Sequence, residues 1–253
     1  MEISLSGKNI LLTGTSRGIG AGIAKQLIAS GSKVALHYNQ NSEAAHQLQK
    51  SLGAKAHLFQ ADLSKALEVN RLFNEVEQKF GEIHGLVNNA GIAISSPIES
   101  NDVQWIDDWL KTIDINLNAA ALLCKKSVQH FLDKGIAGRI VNISSRAAFR
   151  GDTSDYMAYA ASKSGMLALT RTLAKAYGKK GIVAFSIAPG FTKTDMAQQF
   201  MDQYGEEYAK NDIALAELTL PENIAPMVVM LLSGLADHAT GTSIDMNAGS
   251  YFH

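Results

Sequence analysis

Three side chains near the middle of the sequence are of the types that move a proton onto or off an oxygen. Tyr159 and Lys163 stand four residues apart in Tyr159-Ala160-Ala161-Ser162-Lys163. On a helix that spacing puts both on one face, within about one turn of each other. A free tyrosine, with a pKa of about 10, is a poor acid or base near neutrality, and a neighbouring ammonium is expected to lower that value by favouring tyrosinate. Ser145 precedes Tyr159 by 14 residues, and its hydroxyl is of the kind that holds a carbonyl or alcohol oxygen. Together they offer an oxygen-binding donor, a proton-transferring phenol and a charge that tunes it. Tyr156 competes weakly, being seven residues from Lys163. A lone Tyr-x-x-x-Lys is common as a surface pair, so its meaning depends on what surrounds it.

The surroundings point to a bound nucleotide. Thr13-Gly14-Thr15-Ser16-Arg17-Gly18-Ile19-Gly20 follows an apolar run and opens a helical one. Glycines there permit a tight turn and close approach of phosphates, and the free amides of the next helix face the negative charge. The spacing is not G-x-G-x-x-G, and no Gly-Lys-Ser/Thr follows, which argues against a nucleoside-triphosphate loop. The second strand closes in His37-Tyr38-Asn39-Gln40-Asn41-Ser42, with no acid before Glu43. An acid there would bind a ribose 2′-hydroxyl and repel a 2′-phosphate. Its absence, and Arg17 beside the turn, favour NADP(H) over NAD(H), since a guanidinium pairs bidentately with phosphate. Asp62 falls near the adenine of a doubly wound sheet, or serves as a helix N-cap. Asn88-Asn89-Ala90-Gly91 ends the fourth strand with small residues against which a flat ligand can lie, and Asn116 is of a type that bends or hydrates a helix. A nicotinamide in such a site would supply the hydride that the tyrosine chemistry needs.

Rival chemistries find less support. Ser145 sits in Ile143-Ser144-Ser145-Arg146, not in a G-x-S-x-G elbow, so a serine hydrolase is disfavoured. The seven histidines form no H-E-x-x-H or close ligand cluster, and no metal is expected. Cys124, the single cysteine, lies on an apolar helix face and reads as core. A net charge of −1 disfavours nucleic acid as a partner, and no apolar run approaches the roughly 20 residues of a membrane helix. The segment MEISLSGKNILLTG has no signal-peptide layout, and a cytoplasmic location is expected.

Positioning these groups requires alternating strands and helices. Asn9–Thr13, Lys33–Tyr38, 54–60 and 84–88 read as strands, separated by helical stretches marked by Ile19, Ile23, Leu27 and Ile28, by Ser42–Leu52, and by Val69, Leu72, Phe73, Val76 and Phe80. After a looser stretch from Ile92 to Asp108, Ala121, Cys124, Val128 and Phe131 mark a helix, Arg139–Ile143 a fifth strand, and 156–177 a further helix. Val183–Ile187 and Ser243–Met246 supply two more strands, with a helix from Pro221 to Leu232 between them. The pattern predicts one α/β domain over residues 1–253: a doubly wound, Rossmann-type parallel sheet of about seven strands flanked by helices, with a small polar helical lobe at about 191–218 on the substrate side. The helices ending at Leu173 and Tyr177 and around Cys124 and Phe131 look apolar enough to need cover on more than one side.

In this order and spacing the motifs resemble the short-chain dehydrogenase/reductase family over nearly the whole chain: TGTSRGIG at 13–20, DL at 62–63, NNAG at 88–91, Asn116, ISS at 143–145, YAASK at 159–163 and PGFTKTDM at 189–196. The resemblance implies an NAD(P)(H)-dependent oxidoreductase with Asn116, Ser145, Tyr159 and Lys163 as a catalytic tetrad. By the same resemblance Asn116 holds a water linking Lys163 to solvent, and Lys163 also grips the nicotinamide ribose. Thr194, with the backbone around Phe191 and Thr192, holds the carboxamide. Gly14, Ser16, Arg17, Gly18, Ile19, Gly20, Tyr38, Asn39, Asp62, Leu63, Asn89, Ala90, Gly91, Pro189 and Gly190 complete the implied cofactor site, Asp62 on the adenine side and Asn89 on the ribose side. The sequence is most similar to 3-oxoacyl-carrier-protein reductases, which implies acyl-thioester or related small-molecule substrates and a homotetramer or homodimer.

Two departures bear on the substrate. The loop Arg146-Ala147-Ala148-Phe149-Arg150-Gly151-Asp152 places two arginines and a phenylalanine beside the expected pocket, and 145–159 is about one residue longer than usual. Asp245-Met246-Asn247-Ala248-Gly249 replaces the usual D-G-G ending. Small polar or carboxylated carbonyl compounds therefore also fit, with Arg146 or Arg150 as an anion contact or as plain surface charges. A dehydrogenase of an alcohol, sugar or steroid, and a non-catalytic dinucleotide sensor or scaffold, are the alternatives.

Overall fold

The structure is a computed structural model that describes residues 3–205, 207 and 211–253. Strands β1 (Asn9–Leu12), β2 (Lys33–Tyr38), β3 (Ala56–Gln60), β4 (Gly85–Asn88), β5 (Arg139–Ile143), β6 (Val183–Pro189) and β7 (Ser243–Met246) form one sheet in the order β3-β2-β1-β4-β5-β6-β7. Every neighbouring pair is parallel.

Period-two alternation feeds two cores. On β1, Ile10 and Leu12 face one side and Leu11 the other; on β2, Val34 and Leu36 oppose Ala35; on β6, Phe185 and Ile187 oppose Ala184. The first side is covered by α1 (Gly18–Ala29), α2 (Ser42–Leu52) and α9 (Pro221–Ser233). The second is covered by α3 (Ala66–Phe80), α5 (Ala119–Lys134) and α7 (Met157–Tyr177), the last preceded by the one-turn helix α6 (Ala147–Arg150). Strands buried on both faces read as continuous apolar runs, which is why β1, β5 and β6 were legible. Strand order reverses between β1 and β4, so the crevice outside their carboxyl ends is the switch point where such sheets bind ligands.

Three expectations change. The stretch 92–108 is only half loose, because α4 (Asp102–Ile113) begins at Asn101, whose side chain accepts from the Gln104 amide and caps the helix. The residues thought to need outside cover are already buried within the chain: Leu173, Cys124 and Phe131 belong to the second core. Exposed apolar positions include Val103, Ile106 and Leu110 on α4, beside Leu132 on α5 and Met157 on α7. Asp62 is not an N-cap, since α3 starts four residues later.

The segment after β6 leaves the sheet at Thr192, which bridges in parallel to Thr219, and the Lys193 amide donates to the Thr219 carbonyl at 2.8 Å. Between them lies α8 (Asp195–Tyr204), capped by Thr194, whose hydroxyl accepts from the Ala197 amide; residues 206 and 208–210 of the expected lobe at about 191–218 lie outside the described residues. Beyond β7, Ala248 holds a φ of 54°, a left-handed conformation where glycine would be unstrained.

Candidate active site

The glycine-rich turn is built by close approach. Gly14 adopts φ 70° and Gly18 φ 56°. A Cβ on Gly14 would lie 2.7 Å from the Ala90 Cα, and one on Gly20 would lie 2.0 Å from the Gly14 carbonyl oxygen. The turn is tied to β4 by Asn89, whose amide group donates to the carbonyls of Thr13 and Gly14, both at 2.9 Å. Thr13 Oγ1 accepts from the amides of Asn89 and Ala90 at 3.0 Å each. Helix α1 opens here with no side chain capping its first amides and no acid in its first turn. That is the arrangement a pyrophosphate fits, with free N–H groups at the positive end of a helix dipole.

A second strut holds the turn from β2. His37, at the end of β2 and 2% exposed, accepts the Gly14 amide on Nδ1 at 3.1 Å. Its Nε2 lies 3.0 Å from the Ala61 carbonyl, so the proton belongs on Nε2. Burial brings its pKa down to about 4, and the ring stays neutral.

The Ser145, Tyr159 and Lys163 side chains line one cleft with Ile19, Asn89 and Gly91. Pro189, Gly190, Thr192 and Thr194 form another part of its wall, and Arg146 and Arg150 line it as well. Ser145 and Tyr159 share a hydrogen bond. Lys163, 3% exposed, donates Nζ to the Ile143 carbonyl at 2.8 Å, and burial lowers its pKa to about 8. Its Nζ sits 5.7 Å from the Tyr159 ring centre. The expected lowering of the tyrosine pKa is not what this arrangement produces: burial pushes it up to about 12, and the Ser145 hydrogen bond offsets only part of that. The phenol therefore keeps its proton at neutral pH.

Asn116 lies behind the cleft in a widened π-type turn, Asp114–Asn118, between α4 and α5. Its side chain accepts from the Ile92 amide at 2.8 Å and donates to the Ile92 carbonyl and to Ser162 Oγ. A Cβ on Gly91 would stand 3.3 Å from both Asn116 Oδ1 and Lys163 Nζ, so glycine lets these groups come together. A deeper link sets the spacing of β5 and α7: Asn142 donates to Thr170 Oγ1 at 2.8 Å, and Asn88 donates to Asn142 Oδ1 at 2.9 Å. Ser144, the neighbour of Ser145, donates instead to the Lys163 carbonyl.

The remaining sequence-predicted residues sort by position. Gly14, Ser16, Arg17, Gly18, Gly20 and Ala90 make or flank the glycine turn. Tyr38 is buried edge-to-face with His46, and Asn39 is exposed beyond β2. Asp62 accepts from the Ser64 amide and hydroxyl and pairs with Lys65 at 3.2 Å, the Ser64 hydroxyl being the main reason its pKa falls. Leu63 is buried in the second core. Arg17 is exposed and pairs with Asp195 at 3.2 Å. Arg146 is not a free anion contact: it is buried, ion-paired with Asp212 and stacked over Phe191 at 4.4 Å. Arg150 lies 3.6 Å from the same Asp212 oxygen. Among the described residues no group of three or more metal-ligating side chains occurs. No described helix is long and apolar enough to cross a membrane.

A doubly wound parallel sheet with a phosphate-ready turn at its switch point, sharing a cleft with Ser145, Tyr159 and Lys163, defines a dinucleotide-binding oxidoreductase. A family model described as Enoyl-(Acyl carrier protein) reductase matches residues 14–251. The chain belongs to the short-chain dehydrogenase/reductase family. It is 34% identical over 253 residues to 3beta-hydroxysteroid dehydrogenase 1 of Eggerthella lenta, covering 98% of this chain and 95% of that one. It is also 34% identical over 254 residues to the 3-oxoacyl-[acyl-carrier-protein] reductase FabG of Aquifex aeolicus, covering 99% and 100%. The crystal structure of a short chain dehydrogenase from Burkholderia cenocepacia in complex with NADP superposes with a TM-score of 0.89 at 30% identity, covering 97% of this chain and 98% of that one.

Proposed function

We propose that this chain reduces a carbonyl to a secondary alcohol with NADPH, taking 3-oxoacyl thioesters or related keto compounds. The observation that carries the reading is the Ser145–Tyr159 hydrogen bond on the wall of the cleft, backed by the buried Lys163. When bound, the nicotinamide supplies a hydride to the carbonyl carbon. Ser145 holds the carbonyl oxygen and Tyr159 donates its proton to it, a transfer for which a neutral, protonated phenol is the right starting state. Lys163 offsets the negative charge left on the phenol. Asn116 fixes the turn behind Lys163, where by family resemblance a water connects it to solvent. The first amides of α1 hold the pyrophosphate, Asn89 and Lys163 the ribose side, and Thr192 and Thr194 the carboxamide.

An alternative keeps the same residues and runs as a dehydrogenase of a secondary alcohol; the identity to a hydroxysteroid dehydrogenase favours it. Assembly into a dimer or tetramer is part of the proposal, supported by the exposed Val103, Ile106 and Leu110. A panel of 3-oxoacyl thioesters, diketones, keto steroids and small keto acids, followed by NADPH oxidation, tests the substrate class. Turnover of the thioesters is the expected result. Binding of NADPH with turnover confined to the steroids would replace this reading with the alternative.

NADPH preference rests on the acid-free end of β2 and on Arg17. The Arg17–Asp195 pair is exposed at both partners, and such pairs hold weakly enough for a 2′-phosphate to compete. Arg17→Ala is expected to weaken NADPH about tenfold, the loss of one charge-assisted hydrogen bond of about 1.5 kcal/mol, while NADH changes little. Cofactor fluorescence titration checks it, and equal parent affinities for the two cofactors would contradict the preference.

A further inference from the structure

We infer that His37 is a positioning residue of the cofactor site, fixing the glycine-rich turn in its phosphate-binding shape. The inference rests on the dinucleotide reading above. Three hydrogen bonds run from the turn to this one residue. The Gly14 amide donates to Nδ1 at 3.1 Å, and the Thr15 amide and hydroxyl donate to the His37 carbonyl at 3.0 and 3.1 Å. The ring's other nitrogen reaches the Ala61 carbonyl at 3.0 Å, one residue before Asp62 on the adenine side. A single imidazole thus spans β2, the phosphate turn and the loop after β3.

The Ala61 contact has a consequence for the turn. A carbonyl accepts only, so it fixes the proton on Nε2 and leaves Nδ1 as an acceptor. The Gly14 amide then has a partner inside the protein and points away from the ligand. On its far side the Gly14 carbonyl is held by Asn89 at 2.9 Å, so this peptide is clamped from β2 and β4 at once. With Gly14 at φ 70°, a turn without the His37 acceptor would have a buried amide to satisfy and reason to rotate.

Two isosteric changes separate the nitrogens. In His37→Asn the side-chain oxygen takes the place of Nδ1, whereas in His37→Gln the amide nitrogen takes the place of Nε2 and the Gly14 amide loses its acceptor. Each variant loses one buried hydrogen bond, so a purely structural histidine predicts equal effects on both. The positioning role predicts that His37→Gln weakens NADPH binding by about tenfold in calorimetric titration, that His37→Asn stays within about threefold, and that kcat at saturating NADPH is unchanged in both. Long-range ¹⁵N spectra of the cofactor-free parent supply a readout that needs no variant: protonated Nε2, bare Nδ1 and a slowly exchanging Gly14 amide are expected. A proton on Nδ1, or equal NADPH affinity in the two variants, whether weakened or as in the parent, overturns the role of His37 and leaves the cofactor reading intact. A parent that binds neither NADPH nor NADH overturns the cofactor reading itself.

Discussion

Tyr159→Phe is expected to lower carbonyl-reduction turnover by at least roughly 100-fold, the lower end of what general acid–base catalysis contributes, while the protein folds and binds cofactor as before. The substitution removes one hydroxyl and keeps the ring, so packing changes little. What disappears is the phenol hydrogen-bonded to Ser145 and held near the Lys163 ammonium. Tyr156 lines the same cleft and is the alternative donor; if it were the acid, Tyr159→Phe would retain most of the parent rate. Steady-state or stopped-flow NADPH oxidation with the best substrate of the panel decides. A variant that keeps more than about a tenth of the parent kcat removes Tyr159 from the proton-donor role.

Gly20→Ala should be nearly as damaging, and by a different route. The added methyl would stand 2.0 Å from the Gly14 carbonyl oxygen and 2.6 Å from Asn89 Nδ2. Neither neighbour can retreat cheaply, because the first is backbone and the second is the strut that holds the turn to β4. Either α1 shifts away from the turn or the Asn89 bonds break. The cost falls at the upper end of the about 1–3 kcal/mol typical of overpacking, which in a chain of this size lowers the melting temperature by about 2–4 °C per kcal/mol. Dinucleotide affinity should fall by more than about 30-fold, equivalent to about 2 kcal/mol, since the first amides of α1 no longer converge on one point. Calorimetric melting of the cofactor-free protein and titration with NADPH measure the two effects separately. A variant that melts and binds like the parent would mean that the start of α1 is not the phosphate cradle.

Local signals carried far in this sequence. The bounds of β2, α2, β5 and β7 follow directly from apolar runs and their flanking residues, and the Tyr159/Lys163 spacing placed both residues on one helix facing the cleft. Readings went astray where a residue's role depends on partners distant along the chain. His37 meets Gly14 and Ala61, residues 23 and 24 positions away, and nothing in the His37 neighbourhood announces either. Arg146 does line the cleft, but its ion pair with Asp212, 66 residues further on, is not legible from its loop. The sign of the Tyr159 shift depended on burial against charge, and the Lys163 ammonium is turned toward the Ile143 carbonyl. Helix α4 was hidden by its acidic residues, although Asn101 before Val103, Ile106 and Leu110 is a cap followed by a helical repeat.

The neck at Thr192 and Thr219 bears on how such a protein changes over generations. Because the lobe departs and returns at a single bridge, the chain on either side is already joined, and β6 and α9 keep their register whatever length lies between. Extending a segment whose ends are closed costs only about 0.6 kcal/mol for each doubling. The lobe behaves as an exchangeable cassette: its wall of the cleft can be rebuilt by insertion or deletion while Ser145, Tyr159 and Lys163 stay on β5 and α7. The Arg146–Asp212 ion pair is a stitch such an exchange must preserve or replace, because a buried guanidinium left without its carboxylate is strongly destabilising. New specificities are therefore cheapest to reach through changes that keep an acid at position 212 or remove the arginine with it.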